Sequence, residues 1–216
     1  WTVVVLGKLT GLGLTKAGRA VSIACFYLCL PAIFLLLARW RVARAHRWLV
    51  LAVVLTCPLY IFYTRAFLIE TMALMFALWF WVAYERGVAG RSFSWLALAI
   101  VAGAGAGLVK VTTVMLYALP MIFWSMRRLW VKRADGGWRT ELAWMAGATL
   151  LPMLATGWWI HFADATKALN PLAHFLRSAA MRDFNLGTTA TRLSGEYWAL
   201  KGRIMAEDLT WLPAVG

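Results

Sequence analysis

Long runs of apolar residues alternate along this chain with short clusters of basic ones. Stretches free of Asp, Glu, Lys and Arg cover Ala20 to Ala38, Trp48 to Thr64, Thr71 to Tyr84, Ser92 to Val109, Val111 to Met126 and Leu142 to Ala163. The third extends back across Glu70 to Ala66. A bilayer core takes about 20 mostly apolar helical residues. The pattern therefore predicts an all-α, polytopic helical membrane protein with six spans over 20–38, 48–64, 66–84, 92–109, 111–126 and 142–163. Trp and Tyr at the run ends suit the interfacial belt, and flanking Arg side chains can reach the headgroups.

The two ends of the chain follow other patterns. Trp1 to Lys16 is apolar but interrupted by Gly7, Gly11 and Gly13, which predicts a short interfacial helix leading into the first span. After Ala163 the polarity is mixed. Asn170-Pro171 reads as an N-cap with Pro at the first helical position, followed by Leu172, Phe175, Leu176 and Ala179 at helical spacing. A turn through Asn185-Leu186-Gly187 comes next, and Ser194 is placed to cap a second amphipathic helix carrying Tyr197, Leu200 and Ile204. The expected organisation is a transmembrane region over 1–163 and an amphipathic region over 164–216 lying on the outer membrane surface.

Charge gives the orientation. The segments after the first, third and fifth runs hold eleven basic residues, and the turns after the second and fourth hold only Arg65 and Lys110. Lys and Arg are retained on the cytoplasmic side. That bias puts the Arg65–Glu70 turn, Lys110 and everything after Ala163 on the outer face of the cytoplasmic membrane.

Composition sharpens this. The 216 residues are 62% hydrophobic and only 14% charged, yet carry a formal net charge of +13. Soluble domains average roughly 25% charged residues, so the basic excess is not the solvated face that a nucleic-acid binder needs. No nucleic acid is expected among the partners. Cys25, Cys29 and Cys57 lie inside apolar runs and predict neither a disulfide framework nor a zinc site.

Charges beside an apolar core are costly and mark candidate chemistry. Glu70 is the only acid between Trp1 and Tyr84 and shares the outer turn with Arg65. Such a carboxylate can orient a nucleophile, hold a divalent cation against a phosphate leaving group or act as a general base; an ion pair with Arg65 that trims a helical hairpin reads equally well. Lys110 ends the run AGAGAGLVK. Its glycines lack the strand and the trailing Lys-Ser/Thr of a phosphate loop and predict close helix packing. Lys110 itself can meet an anion or simply reach the interface. His161 emerges beside Trp158 and Trp159 at the end of the last run and is a candidate for hydrogen bonding a substrate. His161 and His174 each lack a second metal ligand at helical spacing, so neither predicts a metal site. His46 falls in an Arg-rich loop and carries no specific expectation.

Four segments together resemble the GT-C class of integral membrane glycosyltransferases, especially the branch of protein O-mannosyltransferases and the lipid A aminoarabinose transferase. LGKLTGLGLTKAGRAVS, with Arg19, resembles the passage from the first outer loop into the second span. PLYIFYTRAFLIETMALMF resembles the next outer turn, Arg65 and Glu70-Thr71 matching its Arg and its acid followed by Thr. AGAGAGLVKVTTVMLYALP resembles a Gly-rich span ending in Lys110 and leading to Pro120. ADATKALNPLAHFLRSAAMRDFNLGTTATRL resembles an outer-loop segment that includes Phe184 to Arg192.

The resemblance implies an inverting transfer of a sugar from a polyprenyl-phosphate donor to an acceptor, whether protein, lipid or glycan, outside the cytoplasmic membrane. It makes this chain the second to seventh spans of a larger membrane domain and puts the principal catalytic acid upstream of Trp1. Glu70 then takes the second acidic position, with a divalent metal among the cofactors it allows. Arg65 and Lys110 become donor-phosphate contacts, and Lys167 and Arg192 further substrate contacts. Two other classes remain: a transporter or flippase, for which the charges lie at span ends rather than at the midplane, and a non-catalytic subunit gripping partner helices through GAGAG.

Overall fold

The computed structural model describes residues 2–66, 69–182 and 187–210, without the side chains of 59, 63, 115–117, 174 and 207–210. Every regular element among the described residues is helical: α1 (Thr2–Thr10), α2 (Leu14–Arg39), α3 (Arg44–Thr56), α4 (Pro58–Arg65), α5 (Glu70–Gly90), α6 (Phe93–Ala134), α7 (Trp138–Ala168), the 3₁₀ turn η1 (His174–Leu176), α8 (Thr189–Leu193) and α9 (Gly195–Thr210). Among the described residues two helical stretches, Leu14–Arg39 and Phe93–Val114, are long and apolar enough to cross a membrane.

Gly11, at φ +70°, turns the chain between α1 and α2, and the first long helix starts at Leu14, ahead of the expected Ala20. The run expected as one helix over 48–64 is two. Pro58 lacks the N–H to continue α3 and forces its predecessor out of helical geometry; Cys57 is extended, at φ −66° and ψ 120°. Part of the predicted 66–84 segment, Phe67 and Leu68, lies outside the described residues.

The centre of the molecule is α5. From Thr71 to Tyr84 it is apolar on every side, a pattern that demands burial, and it packs against α2, α6 and α7. Leu78, Phe80, Trp81, Val82 and Tyr84 enter the core beside Ala99, Ala102, Met121, Met145 and Ala148. Trp79 donates from Nε1 to the Leu28 carbonyl of α2 at 3.0 Å.

Helix α6 is broken at Lys110, whose φ of −161° and ψ of 98° are extended. The break falls between the glycine-rich run and Val111-Thr112-Thr113-Val114, β-branched residues that add little helix propensity. It reverses the chain. In a straight helix Gly103 and Ser125 would stand about 33 Å apart. Instead a Cβ on Gly103 would meet the Phe80 ring at 3.0 Å, while Tyr84, one turn along α5 from Phe80, is hydrogen-bonded to Ser125 at 2.7 Å. The arms 93–109 and 111–134 therefore form a hairpin with Lys110 at its tip.

The alternate glycines set how closely the first arm approaches its neighbours. A Cβ on Gly105 would stand 2.9 Å from the Phe76 ring, one on Gly103 would stand 3.0 Å from Pro152, and one on Gly107 would overlap the Thr156 side chain. Gly107→Ala is expected to destabilise the protein by about 1–3 kcal/mol through overpacking. Gly90→Ala, where a Cβ meets nothing within 4 Å, is the control; denaturant unfolding in detergent micelles distinguishes the two.

Large apolar side chains also cover the outside. Val101, Phe123, Met153 and Leu154 are each at least 65% exposed. Soluble monomers rarely carry contiguous apolar surface on this scale.

The stretch after α7 departs from expectation. The amphipathic α-helix expected from Asn170 does not form over 171–181: the backbone there runs through turns and η1. The carbonyl of Asn170 accepts from the Ala173 N–H at 2.9 Å, and its side-chain oxygen accepts from the Leu172 N–H at 3.0 Å. Two side chains of α7 take further backbone groups, Lys167 donating to the Leu176 carbonyl at 2.9 Å and Asp164 accepting from the Ser178 N–H at 3.0 Å. Local and tertiary bonds have replaced the helical ladder, the usual competition that Asn and Asp offer. Farther on, Ser194 accepts from the Tyr197 N–H at 3.3 Å and starts α9 where predicted. The expected turn through Asn185 and Leu186 lies outside the described residues.

Candidate functional site

Glu70 opens α5 and Lys110 tips the α6 hairpin, so the antiparallel packing of α5 on the first arm of α6 carries both to one end of the bundle. Lys110 Nζ donates to Glu70 Oε1 at 2.7 Å, with each side chain a little over one third exposed. The partner of Glu70 is thus Lys110, 40 positions away, rather than the neighbouring Arg65. Glu70 Oε2 is buried and has no hydrogen-bond partner among the described residues. Arg65 is exposed at the C-terminal end of α4, and α9 packs back on α4.

This arrangement offers an ammonium oriented by a carboxylate at a helix break, with one carboxylate oxygen still unengaged. It suits an anion on the Lys110 side and a hydroxyl donor on the Glu70 side. The donor set does not suit a metal. Among the described residues no three His, Cys, Asp or Glu side chains gather, and the immediate neighbour of Glu70 is itself a cation.

His161 lies at the same end. Gly107 abuts Thr156 on α7, so His161 stands about 7–8 Å farther along that helix, exposed beside the stacked rings of Trp158, Trp159 and Phe162. Lys167 and Arg192 make local structure: Lys167 holds η1, and Arg192 donates to the Gly187 carbonyl at 3.2 Å. Among the described residues these bonds are local and do not reach the Glu70–Lys110 pair. Phe184, quoted in the family resemblance, lies outside the described residues.

The Ser178 N–H holds the Asp164 carboxyl below its ordinary range, with smaller help from Lys167 and Arg177. A carboxylate with a lowered folded-state pKa stabilises the fold above its unfolded value, and the contribution is lost as pH falls through the lowered one. The protection factor of the Ser178 amide, its exchange rate corrected for the intrinsic pH dependence of an unstructured amide, is expected to fall on acidification below about pH 4, the ordinary carboxylate range. In Asp164→Asn the fall in protection factor should be absent.

Sequence reasoning missed two buried acids at the opposite, basic end. Glu141, at the start of α7, receives Arg128 Nε at 2.6 Å and Nη2 at 3.0 Å, and its side chain is 2% exposed. Glu85, on α5, is equally buried; it accepts from Trp81 Nε1 at 3.0 Å and faces Arg39 Nε at 3.7 Å. In the sequence both stand among the basic residues that follow the third and fifth apolar runs. The available signal was their place at the ends of apolar runs, Glu85 four residues beyond Trp81 and Glu141 across a short turn from Arg128. Searches against protein-family models, curated proteins and solved structures find no match to this chain.

Proposed function

We propose that the protein is part of a membrane glycosyltransferase that moves a sugar from a polyprenyl-phosphate donor to an acceptor at the outer face of the cytoplasmic membrane. The observation that carries the reading is the Glu70–Lys110 pair at 2.7 Å, which couples two of the residues singled out by the family resemblance. The hairpin at Lys110, the exposed apolar flanks and the basic residues at the other end support six antiparallel spans with this pair outside.

In the proposed reaction the acceptor hydroxyl oxygen bonds to the anomeric carbon as the bond from that carbon to the phosphate oxygen breaks. The electron pair leaves with the polyprenyl phosphate, and the hydroxyl proton passes to the carboxylate that the family resemblance assigns to the preceding outer loop. Lys110 and Arg65 stabilise the departing phosphate in a site partly shielded from water. Glu70 holds the Lys110 ammonium on the phosphate and offers Oε2 to a donor or acceptor hydroxyl. Helix α9, returning to α4, forms part of the site's cover.

Membranes containing the complete gene product, supplied with polyprenyl-phosphate sugars, should release polyprenyl phosphate and an inverted glycoside. Release no greater than from membranes lacking the protein, across hexose, aminosugar and pentose donors, contradicts the reading.

A further inference from the structure

At the end of the bundle away from Lys110, two adjacent cavities of 390 and 540 Å³ share Arg39 and Arg86 in their walls. Arg41 lines the first, and Trp95 with Ser92 lines the second. The three guanidinium groups come from two parts of the chain: the end of α2 with the turn after it, and the last part of α5. Each is set by its surroundings. Arg86 lies over the Trp95 ring at 4.5 Å from the centroid. Arg39 faces the buried Glu85 carboxylate yet keeps half its side chain exposed. Arg41 sits in the left-handed region at φ 59°, costing about 1–2 kcal/mol for a residue with a Cβ.

Snorkelling to a headgroup layer requires none of this convergence. Three cations against the single carboxylate of Glu85 leave the cleft with two positive charges in excess, and guanidinium forks match the geometry of phosphate oxygens. We infer that this cleft is a binding site for a phosphate-bearing anion, formed by Arg39, Arg41 and Arg86 between α2, α5 and the start of α6. The site is separate from the Glu70–Lys110 pair, and its existence does not depend on the transferase reading. Either a phospholipid headgroup entering from the bilayer or a free phosphate entering from solution supplies the required chemistry.

The test uses the purified protein in phosphatidylcholine nanodiscs. One arm titrates phosphatidylglycerol and reads retained lipid by native mass spectrometry; the other titrates inorganic pyrophosphate and reads the thermal midpoint. Saturable binding in the first arm alone identifies a lipid headgroup, in the second alone a free phosphate, and in both a site that accepts either. Arg41→Gln, in an exposed turn that leaves the helices intact, and Arg86→Gln should each weaken binding at least tenfold. Arg127→Gln and Arg133→Gln, which remove the same charge at the same end outside the cleft, should leave it within twofold. No saturable binding in either arm overturns the inference. An equal loss in the control variants also overturns it, because diffuse surface charge would then account for the binding.

Discussion

Lys110→Ala is expected to lower kcat for sugar transfer by about 10²–10³-fold, the usual loss when one preorganised group facing developing charge is removed. Most of the loss should fall on kcat rather than KM, because the phosphate gains charge as the glycosidic bond breaks and the ammonium contributes more in the transition state than in the bound donor. Glu70→Gln keeps the cation but loosens its placement and should cost less. Combining the two should cost less than the product of the separate losses, since part of what Glu70 does is to place Lys110 through their ion pair. A Lys110 with a structural role only would lower the thermal midpoint and leave kcat per folded molecule unchanged.

Arg128→Met should have the largest effect on stability. Glu141 is buried and held by two hydrogen bonds from one guanidinium, so removing Arg128 strands a desolvated carboxylate. Breaking one side of a buried pair costs about 3–5 kcal/mol. Met retains most of the aliphatic stem, which isolates the electrostatic loss from the packing loss. The double variant Arg128→Met/Glu141→Leu should recover most of the stability, because neither charge then remains buried. Lys132→Ala, which breaks the exposed pair with Asp135, should change it by no more than about 1 kcal/mol. Unfolding in detergent micelles compares the four proteins.

The sequence made much of the helical order readable because burying a charge in an apolar setting is so costly that Asp, Glu, Lys and Arg collect at run ends. That rule located the long helices and the chain reversal at Lys110. It could not separate α3 from α4, where a charge-free run hides the Cys57-Pro58 break. It also failed after Asn170, where helical spacing was present but Asp164 and Lys167, reaching over from α7, claimed the backbone groups of Ser178 and Leu176.

The candidate site was legible one residue at a time. Glu70 and Lys110 each stood out as isolated charges, but the run of residues between them concealed their pairing, and the adjacent Arg65 was the more obvious partner. The buried acids were illegible for a related reason. Glu85 and Glu141 lie in sequence among Arg residues, which reads as a solvated turn, and only the packing of α5 against α2, α6 and α7 encloses them. Net charge recorded the basic end; the cleft within it depends on Arg39, Arg41 and Arg86 converging in space.

The most direct measurement is thiol labelling with a membrane-impermeant maleimide in intact cells and in inverted membrane vesicles. Single cysteines are placed at Ile69, beside Glu70, and at Asp135, in the turn between α6 and α7, with Cys25, Cys29 and Cys57 replaced by Ala. Labelling at Ile69→Cys in intact cells and at Asp135→Cys only in inverted vesicles is the predicted result, putting the Glu70–Lys110 pair outside a spanning bundle. Labelling of both positions from the same side would contradict it.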